Sequence, residues 1–173
     1  VLPETLKKVF FVGEVFPTKQ LHKWLTTLPD IQYVNLYGSS ELAGICCYYE
    51  IPDADHQPDI LPIGKPLPNC KVLLLRDGVF INPKESIPSE GEDADIGEIC
   101  VIGDSLALEY FHDPEKTAKT FTALTLPDGT KVRALMTGDL ARYDAEGNLV
   151  FVSRKDFQIK HMGRRIELGE IES

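Results

Sequence analysis

An α/β unit followed by antiparallel β structure is the fold class the sequence predicts, on three observations. A strand-like run, an amphipathic helix and a second strand-like run follow one another between Lys8 and Tyr37. A proline-dense stretch then occupies residues 52–69. Beyond it, short β-type runs alternate with turn signals as far as Val152. Strand, helix and strand at this spacing call for parallel pairing with a right-handed crossover. Several short strands separated by turns suggest a small antiparallel sheet or barrel.

Lys8 to Val12 (KVFFV) is a short apolar run ending at Gly13, which reads as a buried strand. Pro17 opens PTKQLHKWLTTL, where Leu21, Trp24, Leu25 and Leu28 recur at i, i+3, i+4 and i+7 and share one helical face. Proline suits a first turn, whose N–H groups have no helical partner, and Pro29-Asp30 stops the helix. Ile31 to Tyr37 is the second strand, closing at Gly38. Pro52, Pro58, Pro62, Pro66 and Pro68 mark 52–69 as a linker crossing the surface. The later β-type runs are KVLLL before Asp77-Gly78, IGEICVIG, FTALTL before Asp128-Gly129, KVRALM, LARY and NLVFV. One brief helix is expected at Pro114 to Phe121. Glu85, Glu90, Glu92, Asp93, Asp95 and Glu98 crowd residues 85–98, and a solvated loop with no partner is the expected state. Residues 154–165 reverse the sign with Arg154, Lys155, Lys160, Arg164 and Arg165.

The chain has 173 residues, 43% of them hydrophobic and 26% charged, enough for a real core and too apolar for a disordered tail. Its net charge of −9 makes it a poor ligand for a phosphate backbone, so no nucleic-acid partner is expected. No apolar run approaches the ~20 residues of a membrane helix, so no membrane partner is expected either. No basic stretch and apolar core open the chain, so no secretory signal is expected. Cys46, Cys47, Cys70 and Cys100 form no C-x-x-C pair and no zinc spacing; apolar thiols in strands of a reduced cytoplasmic protein are the expectation. The chain opens at Val1 and stops at Ser173 after an apparent helix start, as a piece of a longer protein would.

Chemistry has two candidate seats. Gly38-Ser39-Ser40-Glu41 follows a strand, where main-chain N–H groups and hydroxyls make an anion site. Tyr37 before it offers a flat face for a purine, and Glu41 a hard oxygen for Mg²⁺. Read singly, a Ser-Ser turn is a cap and a strand-end tyrosine is core or rim. Thr137-Gly138-Asp139 lies between two β-type runs; its carboxylate is suited to a ribose diol, although an Asp closing a hairpin is the plainer reading. Arg154-Lys155-Asp156 has a plain reading too, as a solvated turn. A G-x-S-x-G elbow fails at Leu42, the four histidines are scattered, and no G-x-G-x-x-G follows a strand, which leaves a hydrolase or a nicotinamide dehydrogenase unsupported.

Four segments, in order, change the weight of these parts: NLYGSSE (35–41), IGKPLPN (63–69), GEICVIGDSLALEYFHDPEKTAKTF (97–121) and MTGDLARYDAEGNLVFVSRKDFQIKHMGRRIELGEIE (136–172). Together they resemble successive core motifs of the adenylate-forming (AMP-binding) superfamily, over nearly the whole chain from about Phe10 to Glu172. FVGEVFP (11–17) and the ending GRRIELGEIE are closer to the adenylation domains of nonribosomal peptide synthetases and to D-alanine–carrier-protein ligases than to acyl-CoA synthetases.

The resemblance implies roles. Tyr37 stacks on adenine, and Asn35 with the Gly13-Glu14 turn lines the adenine edge. Gly38, Ser39 and Ser40 surround phosphate, Ser40 standing where the family usually has Thr at the α-phosphate. Glu41 ligates Mg²⁺; Ser40 and Glu41 are the catalytic pair. Asp139 holds the ribose hydroxyls with help from Arg154, and Asp156 is a hinge. Phe10, Val12, Leu36, Gly44 and Ile45 fall where the family lines its substrate pocket. Ser39 replaces the usual Pro and Ser153 the usual Gly.

The implied organisation is the end of an α/β subdomain (1–57), a distorted antiparallel β-barrel subdomain (58–153), then the hinge and truncated start of a small C-terminal α+β domain (154–173). Phe157–Lys160 and Arg165–Leu168, joined through Met162-Gly163, are expected as a two-stranded ribbon. The implied reaction uses ATP and Mg²⁺ to turn a carboxylic acid, here an amino acid, into acyl-AMP with release of pyrophosphate. Phosphopantetheine on a carrier protein then takes the acyl group. CoA as acceptor, in an acyl-CoA or aryl-CoA synthetase, is the alternative, and a non-catalytic adenylate-binding module is another. The family's phosphate loop would precede Val1 and its C-terminal lysine would follow Ser173, so the isolated chain is expected to be inactive.

Overall fold

The computed structural model describes residues 5–54, 58, 60–83, 95–156, 158–161 and 164–167, the last two segments as backbone alone. Lys8–Val12 (β1) and Gln32–Ser39 (β2) pair in parallel, with Lys8 opposite Gln32 and Val12 opposite Leu36. Thr18–Thr27 between them is helix α1, entered through Pro17 at φ −67°. Leu21 and Leu25 of α1 are buried in a cluster with Tyr33, Ile51 and Leu61. Each such burial is worth ~1.5–3 kcal/mol. Trp24 sits at the rim of that face, meeting Phe11 edge-on at 6.4 Å.

The unit continues past the point where the sequence pattern stops. A 3-10 turn at Ser40–Leu42, with Ala43 at φ 55°, reverses the chain into Gly44–Glu50 (β3), antiparallel to β2. Neighbouring residues of a strand face opposite ways, yet Cys46 and Cys47 are both buried. With both faces covered, the alternation that would betray β3 is lost. Lys65–Pro66 (β4) completes a four-stranded sheet in the order β1-β2-β3-β4, so this sheet draws on residues either side of the expected 57/58 boundary. The proline-dense stretch is therefore not a surface linker throughout. Leu61 and Ile63 are buried, and the Ile63 N–H donates to the Leu149 carbonyl at 2.8 Å.

Leu149 belongs to the second sheet, made of Cys70–Arg76 (β5), Val79–Ile81 (β6), Gly97–Gly103 (β7), Phe121–Thr125 (β8), Lys131–Tyr143 (β9) and Leu149–Arg154 (β10). The order is β10-β9-β7-β5-β6, with β8 also on β9, antiparallel throughout and curled into a half-barrel. Leu74, Ile99, Val101, Leu135 and Leu149 form the centre of its core. Helix α2 (Pro114–Thr120) starts where expected, its Lys116 N–H capped by the Asp113 carboxylate at 2.9 Å. All four cysteines lie in strands and none forms a disulfide. KVRALM and LARY prove to be one strand of 13 residues, because Thr137–Asp139 between them bulges and does not turn the chain.

Gln158–His161 (β11) and Arg164–Glu167 (β12) pair as a separate antiparallel ribbon with Ile159 opposite Ile166. The expected Phe157, Met162, Gly163 and Leu168 lie outside the described residues, as do Glu85, Glu90, Glu92 and Asp93 of the acidic run. The rest of that run is not a partnerless loop: Asp95 pairs with Arg76 at 2.8 Å, and Glu98 lies within β7.

Candidate functional site

A cavity of about 840 Å³ lies where the two sheets meet. Gly13, Glu14, Asn35, Leu36, Tyr37 and Gly38 line it from the α/β side, and Asp139, Ser153, Arg154 and Asp156 from the half-barrel. Ile60, Leu61, Ile63, Phe151 and Val152 give it apolar surface. Asn35 is buried, and its amide nitrogen donates to the Pro62 carbonyl at 2.7 Å, tying the strand to the proline-dense segment.

The half-barrel side is built on a break in register. Leu140 stands opposite Glu98, but Met136 stands opposite Cys100, so Thr137, Gly138 and Asp139 of β9 face Ile99 alone. Such a bulge re-aims side chains and leaves ladder groups unpaired. Local bonds replace the ladder: Thr137 Oγ1 donates to the Ile99 carbonyl (2.9 Å), and the Asp139 N–H donates to Thr137 Oγ1 (3.1 Å). Gly138 adopts φ +75°, where a side chain is strained. A Cβ there would also lie 2.8 Å from Nη2 of Arg154.

Asp139 is buried and accepts from both sides of the cavity. The Tyr37 phenol donates to Oδ2 at 2.5 Å, and Nη1 of Arg154, its cross-strand neighbour, to Oδ1 at 2.5 Å. Arg154 turns its other edge to Asp156, through Nε at 2.6 Å and Nη2 at 2.7 Å. The fork on Asp156, then the Asp139 charge, hold the guanidinium even more firmly protonated than usual, against the opposing effect of burial. Burial first, and the Asp139 charge second, push the Tyr37 phenol well above its ordinary range, so it remains a donor. The arrangement presents a fixed acid, a fixed cation and a phenol around one apolar-walled space. It suits a ligand with hydroxyls for the acid and a flat ring for the walls.

Gly13, Glu14, Asn35, Leu36, Tyr37, Gly38, Asp139, Arg154 and Asp156 are thus brought together at this cavity. Ser39, Ser40, Glu41, Gly44 and Ile45 do not line it. Phe10 and Val12 line a neighbouring cleft of about 470 Å³, which Glu14 shares. Glu41 is buried in the 3-10 turn, where its Oε1 accepts from the Tyr110 phenol at 2.6 Å and its carbonyl from the Ala107 N–H at 2.8 Å. Among the described residues no three His, Cys, Asp or Glu side chains gather as a metal cluster. Tyr110 and Glu98 escaped sequence reasoning. Both lie in a quoted motif, but nothing local marks them as partners of residues 69 and 40 positions away.

The model of the AMP-binding enzyme family matches residues 1–111. The chain belongs to the AMP-binding enzyme family. This AMP-binding chain is 34% identical over 168 residues to surfactin synthase subunit 1 of Bacillus subtilis, a match covering 97% of the chain and 4% of that protein. It is 32% identical over 169 residues to tyrocidine synthase 1 of Brevibacillus parabrevis, covering 98% of the chain and 14% of that protein. The chain therefore spans only a small part of these relatives. Among solved structures it is similar to PA1221, a nonribosomal peptide synthetase protein containing adenylation and PCP domains, at TM-score 0.84 and 33% identity, covering 98% of the chain and 32% of that one. It is also similar to NpsA-ThdA, an artificially fused adenylation–PCP di-domain from Klebsiella oxytoca, at TM-score 0.80 and 25% identity, covering 96% and 29%. The AMP-binding chain is thus similar to part of a nonribosomal peptide synthetase adenylation domain, and its curled half-barrel answers to the distorted antiparallel β-barrel expected from the sequence. Among the described residues no helix is long and apolar enough to cross a membrane.

Proposed function

We propose that the intact protein is an ATP-dependent ligase that activates an amino acid as its acyl-adenylate and passes it to a carrier protein. The observation that carries this reading is the Tyr37–Asp139–Arg154 cluster in the cavity between the sheets. Adenosine fits it in kind. Asp139 accepts from the ribose hydroxyls while Arg154 holds the carboxylate in place. Tyr37 and the apolar surface face adenine, with Asn35 and the Gly13-Glu14 turn at its edge. Gly38, Ser39 and Ser40 meet phosphate, and Phe10, Val12, Leu36, Gly44 and Ile45 meet the side chain of the substrate. The carboxylate oxygen attacks the α-phosphorus, the bond to the bridging oxygen breaks, and pyrophosphate leaves. Catalysis of this step rests on position and charge.

Mg²⁺ is held by Glu41 in this reading. A buried carboxylate whose Oε1 is fixed by a phenol is a suitable hard-oxygen donor, and Mg²⁺ commonly takes only one or two carboxylates beside substrate phosphates. Bound there, the ion would neutralise phosphate charge. In this reading the chain divides into 1–57, 58–153 and 154–173, β4 of the second part joining the sheet of the first, with Asp156 as the hinge before the separate β11–β12 ribbon. The PCP domains of the similar structures support phosphopantetheine on a carrier as the acceptor. The test is amino-acid-dependent exchange of pyrophosphate into ATP by the intact protein, followed by loading of carrier or CoA. Exchange with no amino acid but with an aryl or fatty acid, and transfer to CoA, would replace this reading by that of an acyl-CoA synthetase. No exchange with any carboxylate would leave an adenylate-binding module.

A further inference from the structure

Glu98 makes an arrangement that the ATP reading does not use. Its side chain rises from β7 and is 11% exposed. Oε1 accepts from the Gly138 N–H at 2.9 Å, a donor that the β7–β9 ladder leaves unpaired at the bulge. Oε2 pairs with Nζ of Lys155 at 2.9 Å. The Lys155 N–H in turn donates to the Gly138 carbonyl at 2.8 Å. Both main-chain groups of Gly138 are therefore held within one closed ring, Glu98 to Gly138 to Lys155 and back to Glu98.

Gly138 directly precedes Asp139, and Lys155 directly follows Arg154. The ring thus joins the backbones of the two residues whose side chains meet in the cavity. Gly138 has the conformational freedom of a glycine at φ +75°, so its peptide needs external fixing. A carboxylate bonded to a part-buried N–H is among the stronger ways to supply it. The Lys155 side of the ring is more than half exposed and weakly held by comparison.

We infer that Glu98 is a positioning residue for nucleotide ribose: it fixes the Gly138 peptide and so aims the Asp139 carboxylate. The inference rests on the proposed ATP reading. Its test, in the intact synthetase, is the ratio of KM for 2′-deoxy-ATP to KM for ATP, measured in pyrophosphate exchange. The native protein should prefer ATP at least tenfold, and Asp139→Ala should bring the ratio close to one. Glu98→Ala should lower the ratio at least threefold, with kcat at saturating ATP within threefold of native. Glu98→Gln keeps an oxygen acceptor for the Gly138 N–H and should retain the native ratio within twofold. If the alanine variant does not fold, Glu98→Asp, one methylene too short to close the ring, should show the same loss. A native ratio in a folded Glu98→Ala or Glu98→Asp variant would overturn the inference, even if both KM values rose together. A native ratio in Asp139→Ala would overturn the ribose assignment itself, and the inference with it.

Discussion

A methyl added to Gly38, on the α/β side of the cavity, would lie 1.9 Å from the Gly44 carbonyl oxygen and 2.7 Å from the Ile45 Cα. A methyl added to Gly138, on the half-barrel side, would meet side chains first, Nη2 of Arg154 at 2.8 Å and Oδ2 of Asp156 at 3.3 Å. The first side is shaped by main chain packed against main chain, β2 on β3. The second is shaped by charge, Asp139, Arg154 and Asp156 in line. Each side should therefore fail in its own way. The α/β side should tolerate loss of polar groups and resist added volume, whereas the half-barrel side should be ruined by losing a carboxylate.

The largest effect should come from the charged side. Asp139→Ala in the intact protein removes the acceptor for ribose and leaves Arg154 with a single acid. Charge-assisted bonds of this kind are worth on the order of 2–4 kcal/mol, or a rise in KM for ATP of about 30-fold to a thousandfold. Unchanged ATP kinetics would end the assignment of ribose to this side of the cavity.

Gly38→Ala should follow, and should act on folding. The added methyl cannot move the Gly44 carbonyl without parting β2 from β3, for an expected loss of about 3 kcal/mol. Urea unfolding checks it: a midpoint equal to the native one would mean that the two strands are not rigidly apposed.

Tyr37→Phe tests the hydrogen bond that runs from the α/β side of the cavity to the Asp139 carboxylate. Its loss should cost about 1–3 kcal/mol at neutral pH, because Asp139 keeps Arg154. It should also change the alkaline limb of stability. The folded phenol titrates well above the ordinary value of 10, so the unfolded chain gives up this proton first. The stabilisation is then complete below pH 10 and declines above it, by up to ~1.4 kcal/mol per pH unit. Burial pushes the Cys100 thiol up to about 12, and hydrogen bonding to Cys46 raises the Cys47 thiol, so the native decline begins nearer pH 9. Subtracting the Phe variant's curve isolates Tyr37; identical slopes above pH 10 would mean its phenol ionises normally.

Arg76→Met should show the smallest effect. Its pair with Asp95 spans 2.8 Å, much like Arg154 with Asp139, but its side chain is 54% exposed against 13% for Arg154. Water screens it, and a change below about 0.5 kcal/mol is expected in thermal or urea unfolding. A loss comparable to that of an Arg154 variant would show that exposure does not separate the two pairs.

The sequence alone settled what local chemistry settles. KVFFV carries its strand in its apolar run, though not the burial expected of it, since Phe10 and Val12 are more than half exposed; Leu21 and Leu25 carry a helix in their spacing, and Pro114 opens the brief helix expected there. Tyr37, Asp139 and Arg154 could be named as site residues because they stand in motifs long enough to resemble a family. Strand β3 could not be read, since burial on both faces erases alternation at Cys46-Cys47. The buried course of Leu61 to Ile63 could not be read either, because prolines look the same on a surface and between two sheets. Which groups meet depends on the folded chain. Tyr37 and Asp139 lie 102 residues apart and share a hydrogen bond; Glu98 belongs to an acidic run by composition and to the Gly138 peptide by position. Periodicity and capping act within a few residues and are written in the local sequence. Register, and the bulge that breaks it at Thr137 to Asp139, follow from how every strand of the half-barrel packs at once.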